Sequence, residues 1–151
     1  MHIKGPTKYP YGYTEIATMD NTEQNSLMDF GILKMKKGDV FSEEQELERA
    51  YLLISGDVIF EWDGELRHAQ RENCFDYSPW VLHVPKGTKI TITANGESEI
   101  TVHRTVNERN FSAKLYTPEE CASENRGKGT MREASTRIVR TVFDYSNAPY
   151  S

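Results

Sequence analysis

At 151 residues the chain has the length of one domain and can bury a core without disulfide staples. Its formal charge of −5 argues against a phosphate-gripping nucleic-acid face, and no apolar run approaches the roughly 20 residues that cross a bilayer, so neither nucleic acid nor membrane is expected as a partner. Cys74 and Cys121 form no C-x-x-C pair, which excludes a metal-thiolate site, and the opening MHIKGPTKYPYGYTE lacks the apolar core of a signal peptide, so a reducing, cytoplasmic location is expected.

The first two dozen residues, with Pro6, Pro10 and three tyrosines, show no period and are expected to wrap the domain as an extended arm. Short runs rich in Val, Ile, Thr, Tyr and Phe then predict strands over Leu27–Lys36, Arg49–Ser55, Val58–Trp62, Glu65–Arg71, Trp80–Val84, Lys89–Ala94 and Glu99–Val106. Turn signals separate them at Lys37-Gly38-Asp39, Asp63-Gly64, Pro85-Lys86-Gly87 and Asn95-Gly96. The Ser55-Gly56-Asp57 step is expected to close a tight hairpin. In TPEECASE, Thr117, Pro118 and Glu120 make a capping box that predicts one short helix near the C-terminus. ENRGKGT reads as a polar linker or loop, and Arg137–Tyr145 as a last strand. The fold class is all-β, a closed barrel with one short helix.

Two stretches carry a resemblance. GDVFSEEQELERAYLLISG, from Gly38 to Gly56, resembles the first cupin motif, in which two histidines and a glutamate lie between turn-forming glycines. PKGTKITITANG, from Pro85, resembles the second, where a Pro-x-Gly turn precedes a third histidine. The resemblance implies a jelly-roll barrel. Counting into the motifs puts the histidine slots on Glu44 and Glu46, the glutamate slot on or beside Arg49, and the last histidine slot on Ile90. Two glutamates, an arginine and an isoleucine do not make the imidazole-rich set that a divalent transition metal takes, so no metal residue is assigned. EEQELER has three readings: a solvated acidic rim, a polar pocket shaped by Arg49 and a glutamate, or a hard-cation site of oxygen ligands on Glu44 and Glu46. His83 and His103 stand on predicted strands amid apolar residues. Both are candidate binding residues, with a wall role as the default.

RENCFDYSPWVLHVPKGT, from Arg71, and RGKGTMREASTRIVRTVFDYSNAPYS, from Arg126, are similar to the 5-deoxy-glucuronate isomerases of myo-inositol catabolism, themselves similar to the 5-keto-4-deoxyuronate isomerases of pectin breakdown. Members of that family are bicupins about twice this length, so the resemblance implies a first half: a metal-free barrel with its arm over 1–125, and over 126–151 a linker and strand leading to a second barrel. It also implies that a divalent metal and its ligands belong to that second barrel, so no catalytic residue and no cofactor is assigned here. Two functions stay open. One is the N-terminal barrel of an aldose-ketose isomerase, inactive alone. The other is a non-catalytic cupin that binds a small sugar acid or serves as a structural or dimerisation module, the chain forming a homo-oligomer or pairing with a second barrel. The basic residues Arg126, Lys128, Arg132, Arg137 and Arg140 read as a solvated linker and strand face, or as partners for the acidic rim or an anionic sugar. Tyr51, Leu53, Phe60 and Trp62 are expected in the barrel interior.

Overall fold

The computed structural model describes residue 6 and residues 8–21 and 26–151, so the arm expected over the first two dozen residues lies partly outside the described residues. In chain order the strands are β1 Gly12–Ala17, β2 Asp29–Met35, β3 Val40–Glu43, β4 Glu48–Trp62, β5 Glu65–Arg71, β6 Val81–Val84, β7 Ile90–Ala94, β8 Ser98–Thr105, β9 Lys114–Tyr116, β10 Ala122–Arg126 and β11 Arg137–Thr141. Nine of them close one core, with one layer running β1-β2-β8-β4-β6-β9 and the other made by β3, β7, the far half of β4, and β5; every pairing is antiparallel. No helix among the described residues is long and apolar enough to cross a membrane.

Alternation builds the core. Along β8 the side chains of Ser98, Ile100, Val102 and Arg104 are buried while those between them are partly exposed, the period of two expected where one face of a sheet meets the interior. Tyr51, Leu53, Phe60 and Trp62 point the same way and are buried, as are Ile90 and Ile92. Each such side chain stabilises the fold by about 1.5–3 kcal/mol relative to exposure.

The expected hairpin at Ser55-Gly56-Asp57 is corrected: the chain runs through it as one 15-residue strand. The first half of β4 pairs with β6 and β8 and the second with β5 and β7, so the strand belongs to both layers. A bulge between Leu53 and Ser55 turns it from one to the other. Gly56 sits at the corner with φ 122°, and a Cβ there would lie 2.6 Å from the Ser98 Cα. The glycine serves a close approach, not a turn. By contrast, Asp63 (φ 46°) and Gly64 (φ 80°) do form the tight β4–β5 turn.

The helix expected after Thr117 is also corrected. Half of its capping box forms, with Thr117 N–H donating to Glu120 Oε2 at 3.0 Å, while Glu120 N–H donates to the Thr117 backbone carbonyl at 3.1 Å and closes a turn. One turn later the chain extends instead into β10, which pairs with β11 from Ala122↔Thr141 to Arg126↔Arg137. CASEN offers no apolar face for a helix to bury, and the partner strand takes up its backbone groups. ENRGKGT therefore enters the loop of a hairpin, and the 125/126 boundary falls inside that hairpin. At its tip Met131, Arg132 and Glu133 all have positive φ, from 48° to 67°.

Candidate functional site

Arg49 on β4 and Arg104 on β8 are directly opposite in register and both point inward, 0% and 6% exposed. Like charges so placed repel, and the surroundings answer them unequally. Arg104 Nη2 donates to Glu43 Oε2 at 2.8 Å, and its Nη1 donates to the Tyr13 hydroxyl. Tyr51 donates its hydroxyl hydrogen to the other Glu43 oxygen. Arg49 meets carbonyls only: Nε donates to Leu47 O at 3.1 Å, and Nη2 to Pro85 O at 3.3 Å and to Thr88 O. The one interior carboxylate thus pairs with Arg104 alone, and Arg49 Nη1 and Arg104 Nε are buried without a hydrogen-bond partner.

This environment shifts titration in the directions the charges dictate. Burial, reinforced by the Glu43 carboxylate, pushes the Tyr51 phenol well above its usual range. Burial also raises Tyr13, partly opposed by Arg104. For Arg104 burial disfavours the charge, yet the hydrogen bond and charge of Glu43 outweigh it and hold the guanidinium protonated.

The residues singled out by motif spacing do not converge. Glu44 and Glu46 are exposed, while Arg49 and Ile90 are fully buried. The interior carboxylate is Glu43, the residue opposite Ile90 in the β3–β7 register. A divalent metal does not fit here: the donors facing the interior are a single carboxylate and phenols, and two guanidinium groups beside them would repel a cation. No group of three His, Cys, Asp or Glu side chains suited to a metal occurs among the described residues.

His83 and His103 lie on the other side of the sheet. Ala50 pairs with both, so the imidazoles flank it on neighbouring strands. His83 Nε2 meets Glu48 Oε1 at 2.8 Å, and its ring is stacked between Phe111 (4.6 Å) and Phe143 (4.5 Å), leaving it 2% exposed. Asn107 Nδ2 holds the second Glu48 oxygen at 2.5 Å. Burial disfavours the Glu48 charge, but the hydrogen bonds from His83 and Asn107 win and hold the carboxyl below its usual range. His103 is lowered by burial alone; its Nε2 lies 3.1 Å from Thr101 Oγ1 and its ring 5.1 Å from that of Phe30. Glu48, Ala50, Leu52, Val81, His103 and Phe143 line a cavity of about 280 Å³ on this outer face.

Of the five candidates, then, Arg49 alone faces the barrel interior. Sequence reading missed Glu43, Arg104, Tyr13, Glu48 and Asn107. Strand alternation from Phe41, which puts Glu43 on the same side, was the signal that could have found the first.

Two antiparallel layers sharing one strand around a common core define a cupin-type jelly-roll barrel. Solved structures are similar in fold: a cupin superfamily protein from Desulfitobacterium hafniense has a TM-score of 0.52 at 16% identity over 71% of this chain and 100% of its own. The plu4264 protein from Photorhabdus luminescens has a TM-score of 0.54 at 9% identity, over 72% of this chain and 91% of its own. More particularly, the chain belongs to the KduI/IolB family, whose model matches residues 8–151. An IolB-like protein from Salmonella typhimurium LT2 has a TM-score of 0.81 at 21% identity, over 97% of this chain and 56% of its own, so this chain spans a little over half of that protein's length. No curated protein matches the sequence.

Proposed function

We propose that this chain supplies the N-terminal, metal-free barrel of a 5-deoxy-glucuronate isomerase and is inactive by itself. The parent reaction is an aldose-ketose isomerisation giving 5-dehydro-2-deoxy-gluconate. It requires a base to move a proton between adjacent carbons while the carbonyl is polarised. The observation that carries the reading is the interior pair of Arg49 and Arg104 with a single carboxylate: this end of the barrel is built to hold guanidinium groups, not a catalytic cation. In this reading the barrel's role is structural, and the proton transfer is performed by residues of the second barrel.

The test is direct. Purified chain incubated with 5-deoxy-glucuronate should show no conversion above background by proton NMR, and elemental analysis should find no stoichiometric zinc, manganese or iron. Turnover by the chain alone, surviving a chelator, would overturn the proposal.

A second reading is favoured by the unpartnered Arg49 Nη1 and Arg104 Nε. Such donors suit the carboxylate of a small sugar acid, because guanidinium groups bind carboxylates through charge-assisted hydrogen bonds. Calorimetric titration with glucuronate separates the two: saturable binding lost in Arg49→Met supports the ligand site, and no heat supports the structural barrel.

A further inference from the structure

The ribbon of β10 and β11 forms its own two-stranded sheet outside the barrel, and β10 is exposed along its whole length. A lone two-stranded ribbon is marginal in water. Its grip on the rest of the chain includes Arg140, whose Nη2 donates to Phe75 O at 2.9 Å. Beside it Phe75, Met131 and Ile138 are 80%, 78% and 53% exposed.

Charge shows what the ribbon is suited to meet. Residues 122–141 carry five cations, Arg126, Lys128, Arg132, Arg137 and Arg140, against Glu124 and Glu133, in a chain whose total is −5. The remainder is therefore more acidic than the whole. Of the five, only Arg126 forms an ion pair among the described residues, and that is with Glu124 inside the ribbon. On the barrel, Glu44 and Glu46 are exposed in the segment between β3 and β4 and form no ion pair among the described residues. A polyanion would be drawn to the ribbon but repelled by the barrel beside it. A second copy of this chain offers both signs.

We propose that the ribbon is an arm that docks on a second copy of the chain, setting Lys128 and Arg132 against that copy's Glu44 and Glu46. With a twofold axis between the copies, each gives one arm and receives one, and the contact closes as a dimer. The complementary charges steer and register the contact, and the exposed apolar side chains beside them are covered. This inference stands apart from the isomerase reading, because it is judged by mass in solution and not by turnover.

Light scattering and sedimentation on the full chain supply the test. The chain should be dimeric at low ionic strength and dissociate at about 1 M salt, where the Debye length falls to about 3 Å. Lys128→Glu with Arg132→Glu should weaken association by about tenfold or more, with unchanged near-ultraviolet circular dichroism since both side chains are exposed. Glu44→Lys with Glu46→Lys should do the same, and mixing the two reversed proteins should restore a mixed dimer. A monomer at low salt, or a dimer indifferent to both reversals, would overturn the proposal.

Discussion

Inside the barrel, Arg104 pairs with the Glu43 carboxylate, while Arg49, directly opposite it in register, meets only backbone carbonyls. Removing one member of a buried pair leaves an uncompensated charge, which costs about 3–5 kcal/mol, whereas replacing both by apolar groups of similar volume is often neutral. Glu43→Leu alone should therefore lower urea-unfolding stability by about that amount. Adding Arg104→Met to it should recover most of the loss, and a double variant as unstable as the single would contradict the assigned pairing. Glu43 was within reach of sequence reasoning because Phe41 and Glu43 alternate inward, whereas the motif count picked Glu44 and Glu46, which lie past the end of β3 and are exposed. Arg104 was less accessible: it continues the inward alternation of Ile100 and Val102, but an arginine at the end of a strand reads as solvated until its partner on β3 is known.

The outer face carries two groups with lowered pKa, Glu48 and His103. For both, the unfolded chain binds protons more readily than the folded one, so each contributes fully above its unfolded pKa and loses that contribution as pH falls through the folded value. Stability should decline first below the ordinary histidine range and again below the ordinary glutamate range. In His103→Gln the first decline should shrink while the second persists, as read from unfolding midpoints across pH. A first decline unchanged in the variant would exclude His103 as its source.

At the scale of elements, the turn signals were legible but their use was not always. Asp63-Gly64 and Ser55-Gly56-Asp57 look alike in sequence, yet one closes a hairpin and the other bends a continuous strand. The distinction lies in Ser98, distant in sequence and pressed against Gly56. Gly56→Ala should cost at least about 1–3 kcal/mol from backbone strain alone, with the clash added. Gly64 also has positive φ, but nothing lies within 4 Å of its missing Cβ. Gly64→Asn should be tolerated nearly as wild type, because asparagine accepts this conformation. Equal thermal shifts for the two variants would show that the contact with Ser98 is immaterial. The failed helix teaches a related lesson: Glu120 reached back to the Thr117 N–H as a capping residue does, but a cap starts a helix only where an apolar face sustains one.

For the whole molecule, the all-β class and the family resemblance followed from evenly spaced strands and from motifs that cover most of the chain. The pairing order did not, because β2 meets β8 and β4 meets both β6 and β8 across long stretches of sequence. Such non-local pairing predicts folding in milliseconds to seconds rather than microseconds, measurable by stopped-flow fluorescence of Trp62 and Trp80. β4 also has a consequence for how the barrel comes apart. A jelly roll whose layers were joined only by loops could lose one and keep the other as a partly folded state. Here both layers are laced to the same strand, so peeling either one strips hydrogen bonds from the backbone that organises its neighbour. Disorder that starts on one side of Gly56 has no boundary at which to stop, and the barrel melts as a single event.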